Sequence, residues 1–277
     1  MNRFRNHFAA IVSILLLLSL LLHVWIAGQT HPVAPAIGDG IHPPLRWSDS
    51  RITRFRVATY NIHRGKGLDG VRDLKRTAKV LRGADIIGIN EAAGPSFFGA
   101  PNQVAQLGEM LEMGWLFAAN QYRWYHRYFG NGLLSRFAVT RWFNEPLIYS
   151  EASGRGLRNM ITAQIPLGGK NITVMVTHLD RGPIRDEQLR YVIREFKQYR
   201  QRVILMGDFN TSIGNPQLQA LFEDNKVIDA IAAALGENRP KAKGDWIITR
   251  GFTVLGGGMT PPGVSDHPCF WVDLKID

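Results

Sequence analysis

The feature that most constrains this chain is a recurrent unit, a short apolar run that stops at a polar side chain. Phe55–Tyr60, Asp85–Asn90, Gly132–Val139, Met160–Ile165, Asn171–His178, Val203–Met206, Trp246–Thr249 and Phe270–Ile276 each have the length and the β-branched or aromatic content of a strand. Helical patterns lie between some of them. Val71, Leu74, Ala78 and Leu81 share one face of a helix, and Gln103–Met113 repeats apolar residues at the same spacing. Asp186–Arg200 sets Leu189, Val192, Ile193 and Phe196 in a stripe with charges opposite, while Pro216–Phe222 and Val227–Leu235 read as shorter helices. Many strands with interspersed helices suggest an α/β chain with two sheets packed face to face and helices outside. With 277 residues, 45% of them hydrophobic, there is material for one sizeable core.

The N-terminus stands apart. Arg3 and Arg5 precede an apolar run from Phe8 to about Ala27, which as a helix spans roughly 30 Å, one bilayer core. It is long for the core of a cleaved signal, and Val24-Trp25-Ile26-Ala27-Gly28-Gln29 lacks a clean A-x-A site. Residues 1–28 therefore read as a transmembrane signal anchor, with secretion after signal cleavage as the alternative. In both cases the basic start stays cytoplasmic and the remainder is exported to the periplasm or exterior. Pro32, Pro35, Pro43 and Pro44 mark residues 29–50 as an extended tether, and the main domain occupies 51–277. Cys269 is the only cysteine, which permits export without requiring it. The net charge is +10, and residues 1–49 hold only three basic and two acidic side chains, so the field belongs to the domain. Such a field favours polyanions or anionic membrane surfaces, and it also serves solubility. Nothing in the sequence implies a protein partner.

Polar residues collect where the strands end. Val57-Ala58-Thr59-Tyr60 runs into Asn61, Ile86-Ile87-Gly88-Ile89 into Asn90-Glu91, and Val174-Met175-Val176-Thr177 into His178. Val203-Ile204-Leu205-Met206 runs into Gly207-Asp208-Phe209-Asn210, and Ser265-Asp266-His267-Pro268 precedes the last strand. Each alone is commonly a turn or a solvated strand end. Together they suit hydrolysis of a phosphoester. A hard cation such as Mg²⁺ takes carboxylate and amide oxygens, which Glu91, Asp266 and Asn61 supply. Asp208 is a candidate base for an attacking water, and Asn210 can orient that water or donate to the transition state. His178 and His267 can stabilise negative charge on the phosphate. The lack of clustered cysteines and of an H-x-x-x-H pair argues against zinc.

These residues resemble the endonuclease/exonuclease/phosphatase superfamily, which includes deoxyribonuclease I-like and neutral sphingomyelinase-like phosphodiesterases. The resemblance rests on Thr59-Tyr60-Asn61-Ile62-His63, Asn90-Glu91, Gly130-Asn131-Gly132-Leu133-Leu134-Ser135-Arg136, Thr177-His178-Leu179, Gly207-Asp208-Phe209-Asn210, Asp245-Trp246-Ile247 and Ser265-Asp266-His267-Pro268. It implies a four-layer α/β sandwich and a Mg²⁺ or Mn²⁺ cofactor held by Asn61 and Glu91, with Asp266 at the metal or its water shell. It implies that Asp208 activates the water, that Asn210 supports it, that Asp245 orients His267, and that His178 and His267 contact the phosphate. Asn131, within the third motif, is the expected substrate contact there. Many members carry Gln before the metal-binding Glu, where this chain has Asn90. No long insertion of the kind that builds abasic-site recognition stands out, and no clear inositol-phosphate clamp.

Substrate hints are weaker. Arg158, in Gly154-Arg155-Gly156-Leu157-Arg158-Asn159, could clamp a phosphate or sit solvated in a loop. Gln121–Phe129 interleaves aromatics with Arg123 and Arg127, which suits base stacking, a lipid interface or simple packing on the sheet. Phe97-Phe98 could line the substrate mouth, and Gly256-Gly257-Gly258 reads as a mobile loop or an ordinary turn. The expectation is a membrane-tethered, divalent-metal-dependent hydrolase acting on nucleic acid or a phospholipid head group. A binding module that keeps the fold without catalysis is the alternative.

Overall fold

A computed structural model describes residues 2–38, 41, 51–96, 98–124, 126–149, 157–240 and 244–277. Sheet A has the order β1 (His31–Pro32), β5 (Gly114–Arg123), β6 (His126–Ser135), β4 (Ile86–Ala93), β3 (Arg54–Asn61), β14 (Cys269–Ile276), β13 (Phe252–Thr260). Sheet B runs β11 (Val227–Asp229), β12 (Asp245–Arg250), β10 (Val203–Asp208), β9 (Lys170–His178), β8 (Asn159–Leu167), β7 (Arg141–Pro146), β2 (Ala36–Gly38). Both sheets are mixed, with β3–β4 and β9–β10 parallel.

Period-two alternation assigns the layers. Val57, Ile86, Val174, Val176, Ile204 and Met206 point between the sheets and build the central core. Their neighbours Ala58, Ile87 and Ile89 point outward from sheet A under α2 (Leu74–Leu81) and α3 (Gln103–Leu111). Met175, Leu205 and Trp246 point outward from sheet B under α4 (Arg185–Gln198) and α5 (Pro216–Phe222). Strands buried on both faces read as nearly continuous apolar runs, which is how they stand in the sequence. The result is the expected four-layer α/β sandwich with helices outside. Helix α6 (Ala230–Leu235) adds Ala230 and Ile231 to the central core.

Several expected elements differ. The helix expected from Val71 starts at Leu74, because the Asp73 side chain accepts from the Lys75 N–H and caps it. Val227–Leu235 divides into β11 and α6 at Asp229, whose carboxylate accepts from the Ala232 N–H. The strand expected to reach Val139 ends at Ser135, whose hydroxyl donates to Phe137 O and accepts from Phe137 N–H, closing a turn. Gly256–Gly258 belongs to β13, not to a loop. Within 29–50, β1 and β2 pair with β5 and β7, and residues 42–50 lie outside the described residues.

The N-terminal helix α1 (Asn2–Gly28) contains a 19-residue stretch, Ala10–Gly28, long and apolar enough to cross a membrane. Its apolar side chains from Ile11 to Ile26 stay exposed.

Candidate active site

Strand register assembles the site. In sheet B, His178, Asp208 and Asp245 lie in one row across β9, β10 and β12, so all three face sheet A. In sheet A, Asn61 lies opposite Asn90 at the ends of the parallel β3 and β4. The two rows meet where Asn61 Nδ2 donates to Asp208 Oδ2 at 3.1 Å.

Left-handed backbone recurs at this rim. Glu91 has φ +57° at the bulge where β4 and β6 shift register. His63 and Arg64, just after Asn61, have φ +46° and +55°, and Asn210 has φ +51°. Such conformations are uncommon for residues with a Cβ, and they persist where surrounding contacts over-determine them. Here they turn side chains out of the strand direction and onto the rim.

Asp208 is the centre. Its carboxylate is fully buried, with Oδ1 accepting from the Asn210 N–H at 2.9 Å. His178 Nε2 and His267 Nε2 each stand 3.6 Å from Asp208 Oδ2. Asn210 donates through Nδ2 to the Leu179 carbonyl at 2.8 Å and to His178 Nε2 at 3.2 Å. Glu91 Oε1 lies 4.0 Å from His178 Nε2. Ser265 Oγ donates to the Asn61 carbonyl at 2.7 Å, which brings Asp266 to the rim, where its Oδ1 lies 3.6 Å from His63 Nδ1.

The two histidines have opposite electrostatics. Burial works against a charged His267. The hydrogen bond from its Nδ1 to Asp245 Oδ2 (2.9 Å) and the carboxylates of Asp245, Asp208 and Asp266 outweigh burial and hold its pKa above the ordinary value. His178 is held well below it, first by burial and then by the positive charges of Arg158 and Arg181, so it is neutral near pH 7.

Arg158 is largely buried, with Nη2 3.6 Å from Asp180 Oδ1 and with Glu91 and Asp208 in its field. Burial lowers its pKa. Its Nε has no hydrogen-bond partner among the described residues. Residues 154–156 of its loop lie outside the described residues, as does Phe97, while Phe98 is 96% exposed.

Asn131 is placed differently from Arg158. It is 1% exposed, and its amide accepts from Asn90 Nδ2 (2.8 Å) and donates to Asn159 Oδ1 (2.6 Å). Asn90 Oδ1 in turn accepts from the Asp208 N–H at 2.9 Å. This chain of three buried amides ties sheet A to sheet B behind the site and leaves the Asn131 amide turned inward.

Sequence reasoning gave no role to Asn90, His63, Arg181 or Arg185. Arg181 Nε donates to Asn210 Oδ1 at 3.1 Å, and Arg185 Nη1 donates to the Asn210 carbonyl at 3.2 Å. Arg181 stands three residues after His178, and that spacing was the available signal.

A cleft of about 430 Å³ opens between Arg185, Asn210, Ser212, Gly244 and His267, with Asp208 in its wall. Asp208 brings a carboxylate to its lining, a donor type that hard divalent cations take. Asp208, Asp245 and His267 offer ligand atoms within 4.8 Å of one another and could hold a metal ion. The sequence pointed instead to Asn61, Glu91 and Asp266, which lie on the sheet A side of Asp208. The Asn61 amide oxygen already accepts from the His63 N–H at 3.1 Å, and as a carbonyl oxygen it keeps a second lone pair. By distance, the group that could hold a cation among the described residues is Asp208, Asp245 and His267.

Two packed mixed sheets with helices on both outer faces, and a rim of carboxylates, amides and histidines between them, define a four-layer α/β sandwich. The chain belongs to the endonuclease/exonuclease/phosphatase family, whose model matches residues 58–267. The family generally hydrolyses phosphoester bonds and generally depends on a divalent metal. Solved structures share the fold at low identity. An endonuclease/exonuclease/phosphatase from Beutenbergia cavernae is 23% identical with a TM-score of 0.65, covering 81% of this chain and 72% of that one. A family protein from Bacteroides thetaiotaomicron is 17% identical with a TM-score of 0.62, covering 81% and 98%. D. rerio TDP2, complexed with a single-strand DNA product, is 18% identical with a TM-score of 0.59, covering 80% and 99%. No curated protein sequence matches the chain.

Proposed function

We propose that this chain is a divalent-metal-dependent phosphodiesterase, anchored in a membrane by residues 1–28 and working on the exported side. The observation that carries the reading is the convergence on Asp208 Oδ2, which meets the Asn61 amide and the Nε2 atoms of both His178 and His267. A carboxylate fixed this way is oriented to accept a proton from water. A bound Mg²⁺ or Mn²⁺ would supply a Lewis acid that neutralises charge on the phosphoryl oxygens. Glu91 and Asn61 would hold it, with Asp266 at its edge. Water oxygen then bonds to phosphorus, its proton passes to Asp208, and the bond to the leaving oxygen breaks. His267, kept charged by Asp245, points a donor N–H at the phosphoryl oxygen. Neutral His178, whose Nε2 accepts from Asn210 Nδ2, positions Asn210 beside Asp208 instead of donating to the phosphate as the resemblance implies. The Nε of Arg158, buried and without a partner among the described residues, suits a second phosphoryl oxygen. Asn131 acts on substrate indirectly, through Asn90 and the Asp208 backbone.

Two substrate classes remain within this reading. The basic domain and the DNA product bound by D. rerio TDP2 support nucleic acid. The apolar helix supports a phospholipid head group, because it would confine the site to a membrane surface. Turnover of bis-p-nitrophenyl phosphate by the full chain tests the chemistry. It is expected to require Mg²⁺ or Mn²⁺ and to stop on chelation. Asp208→Asn or His267→Ala should lower it at least ~100-fold, the scale of a positioned acid–base group. Absence of metal-dependent turnover on this ester, DNA and phospholipids alike would favour the binding module.

A further inference from the structure

The C-terminal end of α1 is docked on the β5–β6 hairpin. The Trp124 N–H donates to the Ala27 carbonyl at 2.7 Å, and the Trp124 ring lies against Gly28, where an added Cβ would meet it at 3.3 Å. Only Gln29 and Thr30 then separate α1 from β1, where His31 and Pro32 pair with Tyr122 and Gln121. The apolar helix therefore leaves no slack before it joins the hairpin tip.

That tip stands on the same side of the sandwich as the active site. The hairpin continues sheet A beyond the end of β4, where Ala92 pairs with Gly130 and Ala93 with Phe129. Asn131, behind the rim, and Trp124 are seven positions apart, a reach of at most about 24 Å along a strand. Arg64 braces the hairpin to the loop after Asn61. Its guanidinium lies 5.1 Å from the Tyr128 ring centre and 5.0 Å from that of Phe129, and Nη1 donates to Tyr128 Oη at 3.2 Å. Tyr122 is 41% and Trp124 38% exposed, Arg127 is exposed, and residues 114–135 contain no acidic side chain. Amphipathic aromatics with arginines, at the end of an apolar span, have the composition of a membrane–water interface.

We infer that the β5–β6 hairpin tip is a lipid-interface contact that turns the active-site rim toward the bilayer in which α1 is seated. It rests on the anchored-phosphodiesterase reading and narrows it, because the substrate becomes a phosphodiester presented at a lipid surface. One substrate class is thereby favoured over a freely diffusing nucleic acid.

Cys269 is buried and the only cysteine, so single labels can be placed elsewhere. The full chain would carry an environment-sensitive nitrobenzoxadiazole at Tyr122→Cys, Arg127→Cys, Leu18→Cys or Lys170→Cys. Lys170 begins β9 at the end of the sandwich opposite His178. Each variant is reconstituted in phosphatidylcholine vesicles containing a minority of phosphatidylglycerol and nitroxide lipid, and its melting curve is compared with that of the unlabelled chain. Labels at 122 and 127 are expected to shift to the blue and lose most of their emission to the nitroxide, as the label at 18 does, while the label at 170 keeps it. Quenching at 18 with water-like emission at 122, 127 and 170 would overturn the contact and leave the anchor standing. No quenching at 18 would overturn both. Catalysis is not read in this experiment, so a chain without phosphodiesterase turnover but with quenched hairpin labels would fail the catalytic reading alone.

Discussion

At the scale of single residues, the Asp245–His267 pair carries the most direct pH dependence. His267 has a folded pKa above its ordinary 6.5, so the stability from its imidazolium is fully present below 6.5. It is lost as pH rises through the raised folded value. Asp245→Asn removes the charge that outweighs burial, so the His267 ring should titrate lower in an NMR pH series of the metal-free chain. The stability gap between wild type and variant should be widest in mild acid and should narrow as pH climbs past 6.5. An unchanged titration would mean that Asp245 does not set the charge of His267. Asn131 gives a second residue-scale expectation. Asn131→Ala leaves Asn90 Nδ2 and Asn159 Oδ1 buried without this partner, a cost of about 1–3 kcal/mol in urea unfolding. A variant as stable as wild type but with raised KM would return Asn131 to the substrate contact expected from the sequence.

At the scale of elements, glycines decide where two strands can come close. Gly207 precedes Asp208 with φ +138°, and a Cβ there would be driven into the Thr177 carbonyl of β9 and would sit 3.1 Å from Asn90 Oδ1. Gly207→Ala should cost about 3 kcal/mol or more by thermal or chemical unfolding, since backbone strain and a clash act together. Gly169→Ala, with φ +70° but nothing within 4 Å, is the contrast and should cost only about 1–2 kcal/mol. Equal losses at the two positions would mean that the clash is relieved by movement of β9. The same physics explains what the sequence concealed. Doubly buried strands such as β9 and β10 were legible because both faces are apolar. Gly256-Gly257-Gly258 read as a loop, yet β13 needs small residues there. A Cβ on Gly257 would meet Trp271 O at 2.5 Å, and one on Gly258 would meet the Trp271 ring at 2.6 Å. Strands β5 and β7 were also missed. Their exposed or half-buried residues blur the pattern, as in the Gln121–Arg123 end of β5 and most of Arg141–Pro146. For the site, the residues at strand ends were legible as a set, since each interrupts an apolar run. Their pairings were not, because Asn61 meets Asp208 across 147 positions of sequence, and only sheet register brings them together.

At the scale of the whole molecule, two attractions to a membrane can be separated. One is the field of a chain with net charge +10, which acts on any anionic surface and decays within a Debye length of about 8 Å at physiological salt. The other is the apolar stretch Ala10–Gly28, exposed from Ile11 to Ile26. Burying about 20 apolar residues in lipid is effectively irreversible and insensitive to salt. After cell fractionation, the full-length chain is therefore expected in the membrane pellet through a high-salt wash and an alkaline carbonate wash, and to dissolve only in detergent. Release by salt alone would assign membrane retention to surface charge. A soluble product shortened by roughly the length of α1 would show that the helix is a cleaved signal. In that case α1 is not seated in a bilayer, and the anchored reading fails together with the hairpin contact that rests on it.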